Sequence, residues 1–288
     1  MSNILVNIKG LDSKEFPKGV TPLQIMKDIK GVSKDSIICK IDGELKDLSS
    51  TLKKDCELQF MDAKSKDGHS VLLHSTAHLM AQAVKRLFPK TKVTIGPYLE
   101  NRFYYDFDVE TPFTEDDLLK IENEMIKISE ENHEITHEVK SRDEALTYFE
   151  KIEENYKVEI INDLDKDEIL KVYSQGEFTD LCRGPHVQST GQIKHFKLLS
   201  SSAAYWRGDE KNQTLQRVYG TSFQNGKDLK KYLLMLEEQK KRDHRKIGKE
   251  LDLFFFDEEV GPGLPLWTPS GTVLIDQLEA LAKEKETA

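Results

Sequence analysis

The 288 residues suffice for about two domains, and 38% hydrophobic content is enough for packed cores beneath a surface that 32% charged residues make very soluble. No run approaches the roughly 18 apolar residues of a membrane helix, the opening Met-Ser-Asn-Ile-Leu-Val lacks a signal peptide's layout, and Cys39, Cys56 and Cys182 make no disulfide framework, which together point to a reducing cytoplasm rather than to secretion or a membrane. The net charge of −9 argues against a nucleic-acid partner until it is divided: 22 acidic and 7 basic side chains lie between Asp106 and Glu168, a local −15 that leaves +6 elsewhere and is compatible with RNA binding on one side only.

Residues 1–62 read as a small α/β unit. Ile4, Val6 and Ile8 alternate as in a half-buried strand, and Gly10 marks a break after it. Thr21 and Pro22 open a helix as N-cap and first-position proline, with Leu23, Met26 and Ile29 as its apolar residues. Ile37, Cys39 and Ile41 alternate before the hairpin-type turn Asp42-Gly43, and Leu58 and Phe60 suggest a last strand. Short strands around one helix predict a ubiquitin-like β-grasp.

Residues 63–225 read as a longer mixed α/β segment, so the fold class expected is α+β. Ser70 to Phe88 is helical, with Leu72, Leu79, Ala83 and Leu87 in one stripe and Pro89 as the stop. Phe103-Tyr104-Tyr105-Asp106-Phe107 reads as a strand, and Thr114 begins a capping-box-like entry to a charged helix reaching Glu131. Lys157 to Ile161 reads as another strand, and Cys182-Arg183-Gly184-Pro185 forces a tight turn between Asp180 and His186. A helix from Lys227 to Lys249 carries Leu229, Leu233 and Leu236, then a basic run from Lys240 to Lys246 that is either a phosphate-facing end or a solvated surface. Gly261 to Pro265 breaks regular structure. A final helix, Thr272 to Lys285, has Val273, Leu274, Leu278 and Leu281 with nothing after them to pack against, so the chain reads as truncated inside a further domain.

His74 and His78 are four apart in a helix, which puts both imidazoles on one face a turn apart. Cys182 and His186 repeat the spacing across the Gly-Pro turn. Either pair alone is commonplace, and a lone cysteine is usually a small buried hydrophobe. Together they can converge on one tetrahedral cation or line a polar pocket that orients a water.

The strings His74-Ser75-Thr76-Ala77-His78 and Thr179-Asp180-Leu181-Cys182-Arg183-Gly184-Pro185-His186 closely resemble the two halves of the editing-site signature of bacterial threonyl-tRNA synthetases; alanyl-tRNA editing proteins share a looser form. Phe103 to Asp106, Tyr156 to Val158, Ala204 to Asp209, Leu215 to Thr221 and Lys241 to Lys249 agree in the same order, and Phe16 to Pro22 looks like part of the family's TGS module. The resemblance covers essentially the whole chain. It implies a TGS β-grasp domain at 1–62, an editing domain at 63–225, a linker helix at 226–249 and the start of a class II catalytic domain at 250–288. It also implies that aminoacylation is absent, since the core's ATP-binding arginines and zinc ligands have no counterpart after Leu251.

The reaction implied is hydrolysis of serine from mischarged tRNA(Thr). Serine lacks only one methyl group of threonine, and a synthetic pocket rejects such a difference by about 1–3 kcal/mol, so a second, excluding site is needed. Ester hydrolysis requires an activated water, a stabilised oxyanion and a proton for the leaving ribose oxygen. On the resemblance, His74 is the general base or relay, and His78 and His186 shape the polar pocket. Lys157 holds a second water or protonates the leaving oxygen, Cys182 bounds the serine side chain, Asp180 receives the α-ammonium, and Tyr104 packs in the same cleft. The threonyl branch is expected to need no metal; zinc at His74, His78, Cys182 and His186, as in alanyl-editing relatives, is the alternative. Tyr205, Trp206 and Arg207 offer stacking surface and a guanidinium to the tRNA acceptor end, against a core tryptophan and an ion-paired arginine. A monomeric fragment of a homodimeric parent is expected. The competing readings are a zinc hydrolase of another class and a non-catalytic tRNA-binding module.

Overall fold

A computed structural model describes residues 2–261 and 263–287; Pro262, within the chain-breaking segment expected at Gly261 to Pro265, lies outside the described residues. The chain divides into two compact units, one up to Leu229 and one from Lys230 onward.

The first unit begins with a mixed five-stranded sheet in the order β2-β1-β5-β3-β4, formed by β1 (Asn3–Ile8), β2 (Lys14–Pro17), β3 (Ser36–Ile41), β4 (Glu44–Lys46) and β5 (Cys56–Asp62). Only β1 and β5 run parallel. Helix α1 (Pro22–Asp28) starts where the sequence predicts: the Thr21 side chain accepts from Gln24 N–H and Gln24 answers on the Thr21 backbone, a reciprocal capping box ahead of the proline. Ile4, Val6, Ile8, Ile25 and Leu58 bury together, as the alternation requires.

Helix α2 (Lys66–Leu87) is the axis of the rest of this unit. It begins four residues before the expected Ser70, because Ser65 caps it by accepting from Gly68 N–H. Gly68 lies so close to the end of β5 that a Cβ there would fall 1.9 Å from Asp62 O, which fixes the angle at which α2 leaves the first sheet. Around α2 are two antiparallel sheets. One has the order β11-β12-β7-β6, from β6 (Lys92–Val93), β7 (Phe103–Asp108), β11 (His195–Tyr205) and β12 (Thr214–Phe223). The other has the order β10-β9-β8, from β8 (Ile135–Lys140), β9 (Leu170–Gln175) and β10 (Phe178–Leu181). Helix α3 (Glu115–Glu131) packs along α2 and opens with the predicted capping box, Thr114 with Asp117. Helices α4 (Arg142–Lys151) and α5 (Asn155–Asp163) pair beside β9 and β6. Residues 157–161, expected as a strand, are therefore helical. Glu154 N–H closes on Phe149 O and Lys157 N–H on Glu154 O, and Lys157 and Ile161, one turn apart, become the buried face of α5.

The helix expected from Lys227 to Lys249 is two helices, α6 (Gly226–Lys241), in which the first unit ends and the second begins, and α7 (His244–Glu250), because Asp243 turns out of the helix to cap Arg245 N–H. A two-stranded ribbon, β13 (Phe254–Phe256) with β14 (Pro265–Trp267), comes next, then α8 (Pro269–Glu286), capped by Thr268. Val273, Leu274, Leu278 and Leu281 on α8 are exposed.

A candidate active site in a cleft beside α2

Three elements bring the predicted quartet together. α2 presents His74 and His78 on one face; β10 delivers Cys182 just past its end; and the turn after it returns His186 against the helix. That turn contains a cis Gly184-Pro185 peptide and places Gly184 at φ +67°, with Tyr173 Oη where a Cβ would need to be, 2.0 Å away, so glycine is required there twice over. The ligand-type atoms of His74, His78, Cys182 and His186 all lie within 4.8 Å of one another. The His74 and His186 rings stack with centroids 4.6 Å apart, and the His78 ring meets His186 edge-on at 4.3 Å.

Hydrogen bonds fix the orientations. His74 Nδ1 lies 3.1 Å from Gly96 O, a carbonyl that can only accept, so Nδ1 carries the proton and Nε2 presents its lone pair. Cys182 Sγ is 2.9 Å from that Nε2 and 3.3 Å from His186 Nε2, and it accepts from Gly184 N–H. Ser75 Oγ accepts from Val187 N–H and pairs with His186 Nδ1.

Burial sets the charge states. Desolvation lowers the pKa of His74, and it lowers those of His78 and His186 well below the usual imidazole value, with neighbouring imidazoles adding to the effect on the last two. The Cys182 thiol is pushed up to about 12, again chiefly by burial. At neutral pH the cluster is thus three neutral imidazoles and a thiol. A cysteine nucleophile needs a depressed thiol pKa or a cationic histidine beside it, so the Cys182–His74 contact is not a nucleophilic dyad: the thiol donates and the imidazole accepts.

Behind the quartet lies a buried ion pair. Lys157 Nζ is 2.5 Å from Asp180 Oδ1, an ion pair rather than an aligned hydrogen bond, while it donates to Thr94 O at 2.5 Å and Tyr105 Oη at 3.2 Å. Tyr105 Oη in turn donates to Asp180 Oδ2 at 2.7 Å, and His78 Nε2 stands 3.7 Å from that same oxygen. Burial and the Asp180 carboxylate hold the Tyr105 phenol protonated, its pKa well above the ordinary value. His74, His78, Lys157, Asp180 and Cys182 all line one open cleft of about 650 Å³, whose lip is the segment Ile95 to Tyr98.

Three expected residues are placed otherwise. Tyr104 points away from the cleft: alternation along β7 puts Phe103, Tyr105 and Phe107 inward, so Tyr105 takes the position expected of its neighbour, while the Tyr104 ring lies under the Arg217 guanidinium, 3.9 Å from ring centre to carbon. Trp206 is 7% exposed, edge-on to Tyr156 and donating to Glu159, so it offers no free stacking face. Arg207 is ion-paired with Glu159 and Asp163 on α5. Tyr205 and Arg207 are both exposed, Arg207 with its guanidinium ion-paired.

The donor set of the quartet suits zinc, whose tetrahedral bonds to nitrogen and sulfur are about 2.0–2.3 Å and set ligand atoms roughly 3.5 Å apart. Cys182 Sγ and His74 Nε2, at 2.9 Å, are closer than that and are arranged as hydrogen-bond partners, while the four atoms all lie within 4.8 Å of one another, so side chains would have to shift to hold an ion.

Residues 170–219 match the family model of the threonyl and alanyl tRNA synthetase second additional domain. The chain carries that domain. It is also similar over nearly its whole length to proteins named threonine–tRNA ligase: 52% identical over 280 residues to that of Pelobacter propionicus, covering 97% of this chain and 44% of the relative. The corresponding protein of Anoxybacillus flavithermus is 50% identical, covering 95% and 43%, and that of Rickettsia peacockii is 46% identical, covering 98% and 45%. The chain therefore spans less than half the length of these curated relatives. The matched segment of the second additional domain contains Asp180, Cys182 and His186, whereas His74, His78 and Lys157 lie before it.

Sequence reasoning passed over Tyr105, Ser75 and Asp47, all of which touch the site. Tyr105 was accessible from the pattern, as the middle of Phe-x-Tyr-x-Phe. Ser75 and Asp47 carry no local signal.

Proposed function

We propose that the second additional domain of this chain, residues 63–225, hydrolyses the ester of seryl-tRNA(Thr), the proofreading reaction of threonyl-tRNA synthetases. The observation that carries the reading is the solvent-open cleft in which a neutral, proton-accepting His74 Nε2 stands beside Cys182 and in front of the Lys157–Asp180 pair.

In this reading the Cys182 thiol hydrogen turns away from His74 Nε2, which Gly96 O holds in the accepting tautomer, and a water hydrogen-bonds to that nitrogen while the sulfur stays beside it. His74 draws a proton from that water as it attacks the ester carbonyl carbon. The bond from that carbon to the ribose oxygen breaks, and the leaving oxygen takes up a proton, so that free serine and uncharged tRNA result. The Lys157 ammonium lines the wall where negative charge develops, held from behind by Tyr105 Oη and Asp180, and burial makes its charge count for more than it would in water. Asp180 supplies the counter-charge for Lys157 and for the substrate's α-ammonium. Cys182 bounds the space left for a hydroxymethyl group.

Residues 1–62 are read as the TGS β-grasp module, 226–249 as a linker helix and 250–288 as the start of a class II catalytic domain. The test is deacylation of Ser- and Thr-charged tRNA(Thr) by this chain: preferential release of serine is expected, and no release of serine above the uncatalysed rate would end the proposal. A second reading, a metal-dependent hydrolase, is favoured by the zinc-like donor set of the quartet. Activity towards esters without any dependence on tRNA, together with stoichiometric tight zinc, would favour it.

A further inference from the structure

His186 is held from behind by the first sheet. Asp47, in the turn after β4, is 7% exposed and reaches across to the second additional domain. Its Oδ1 accepts from His186 N–H at 2.8 Å and its Oδ2 from Tyr173 Oη at 2.9 Å, with His137 Nδ1 3.6 Å from Oδ2. Tyr173 fills the gap between: its ring lies tilted against His186 at 4.6 Å, and its hydroxyl abuts Gly184, where no Cβ fits. One carboxylate thus grips both the backbone of a quartet histidine and the tyrosine on which the turn 182–186 rests. A second tie runs the same way, since Gln188 Nε2 donates to Ile37 O at 2.6 Å on β3.

The chemistry favours this as a device for placement over incidental packing. A buried carboxylate costs free energy unless it is hydrogen-bonded, and Asp47 directs its two strong acceptor bonds to the only segment that carries both Cys182 and His186 and to the tyrosine beneath it. Charge-assisted hydrogen bonds are the stronger and more directional kind, and a displacement of about 1 Å in a catalytic cluster can cost on the order of 100-fold in rate. The Cys182–His74 contact depends on where this turn sits.

We propose that Asp47 is a positioning residue of the hydrolytic site, through which the N-terminal sheet sets the location of His186 and Cys182, so that the site is complete only with residues 1–62 in place. The inference rests on the proposed deacylase reading for its activity readout, and on the contacts alone for its structural one.

The experiment compares the wild type with Asp47→Ala, Asp47→Asn and Tyr173→Phe in the full chain. Asp47→Ala is expected to lower kcat for seryl-tRNA(Thr) by about 10- to 100-fold, the usual effect of removing an outer-shell partner, with KM within about threefold of wild type. Asp47→Asn, whose amide oxygen still accepts from His186 N–H, should recover most of that loss, a rescue that a merely electrostatic or non-specific destabilising effect would not give. Hydrogen exchange read on peptides covering 182–188 should speed up in Asp47→Ala and in Tyr173→Phe, while peptides of α3 and β12 stay protected. Unchanged kcat in a folded Asp47→Ala, or a loss confined to KM, would overturn the proposal. A wild type inactive on seryl-tRNA(Thr) would remove the deacylase reading but leave the exchange arm intact; unchanged exchange at 182–188 would then overturn the positioning role by itself.

Discussion

His74 Nε2 and Cys182 Sγ, 108 residues apart in the chain, stand 2.9 Å from each other at the cleft, with the thiol protonated and the imidazole neutral. The contact places a proton acceptor where a water can reach it, and it gives the first prediction. His74→Ala should lower serine release by roughly 100- to 10,000-fold, the range for loss of a general base, with a cooperative melt retained because His74 is only partly buried. Single-turnover deacylation of seryl-tRNA(Thr) measures it, and an unchanged rate would remove His74 from the mechanism.

Lys157 and Asp180 are both about 2% exposed or less, so truncating either leaves a buried charge without its partner. Lys157→Ala is expected to cost about 3–5 kcal/mol of stability, seen as a lower urea midpoint. Replacing both residues by apolar ones, Lys157→Met with Asp180→Leu, should restore most of the stability and none of the activity. If the single and double variants unfold at the same urea concentration, the pair is not coupled as described.

How much of this site could be read in the chain depended on whether the signal was local. The quartet was legible because His74/His78 and Cys182/His186 each carry a four-residue spacing within strings that resemble one signature; so were β7, the Thr21 N-cap of α1, the capping box of α3, and the alternation of Ile4, Val6 and Ile8. Residues 157–161 misled because Val158, Ile160 and Ile161 favour strands by propensity, while the burial of Lys157 and Ile161 one turn apart is set by packing against the rest of the domain. Trp206 and Arg207 look like an RNA-binding pair in one dimension; Glu159, which accepts from the Trp206 indole and pairs with Arg207, and Asp163, which also pairs with Arg207, are over forty residues away. Asp47 is the extreme case, since its partners Tyr173 and His186 lie 126 and 139 residues further along the chain.

Acid should loosen the fold through its wholly and partly buried imidazoles. His69, His74, His78 and His186 all have pKa values lowered by burial. Below about pH 6.5 the unfolded chain binds protons at these positions that the folded chain refuses, so the unfolded state carries more protons and stability falls as pH falls. Above that value both states are neutral and the effect vanishes. Urea midpoints should therefore be level from pH 7 to 8 and drop between pH 6.5 and 5, and the drop should be shallower in His78→Gln. A midpoint that rises on acidification in that window would contradict the burial of these rings.

Chelation separates the two chemistries open to the quartet. Serine release by protein treated with a strong chelator and freed of metal is expected to persist, because His74 can accept the water's proton with its own lone pair and the Lys157 ammonium on the cleft wall meets the developing charge. Loss of activity that zinc alone restores would instead assign His74, His78, Cys182 and His186 as ligands, with the thiol deprotonated on binding.

The Cys182 side chain should decide between serine and threonine. It is half-buried, lines the cleft and is held by Gly184 N–H, so its sulfur occupies a fixed volume beside the proton acceptor. One methyl group is worth about 1–3 kcal/mol of discrimination, roughly 10–200-fold, and most of that must come from the wall the extra carbon would strike. Cys182→Ala removes the sulfur and leaves the imidazoles in place. It is expected to raise hydrolysis of threonyl-tRNA(Thr) by about tenfold or more while serine release changes less, so the serine-to-threonine ratio of kcat/KM collapses. A ratio equal to wild type would show that the excluding wall lies elsewhere along the cleft, where Ile95, Pro97, Tyr98, Ile160 and Leu181 also offer apolar surface.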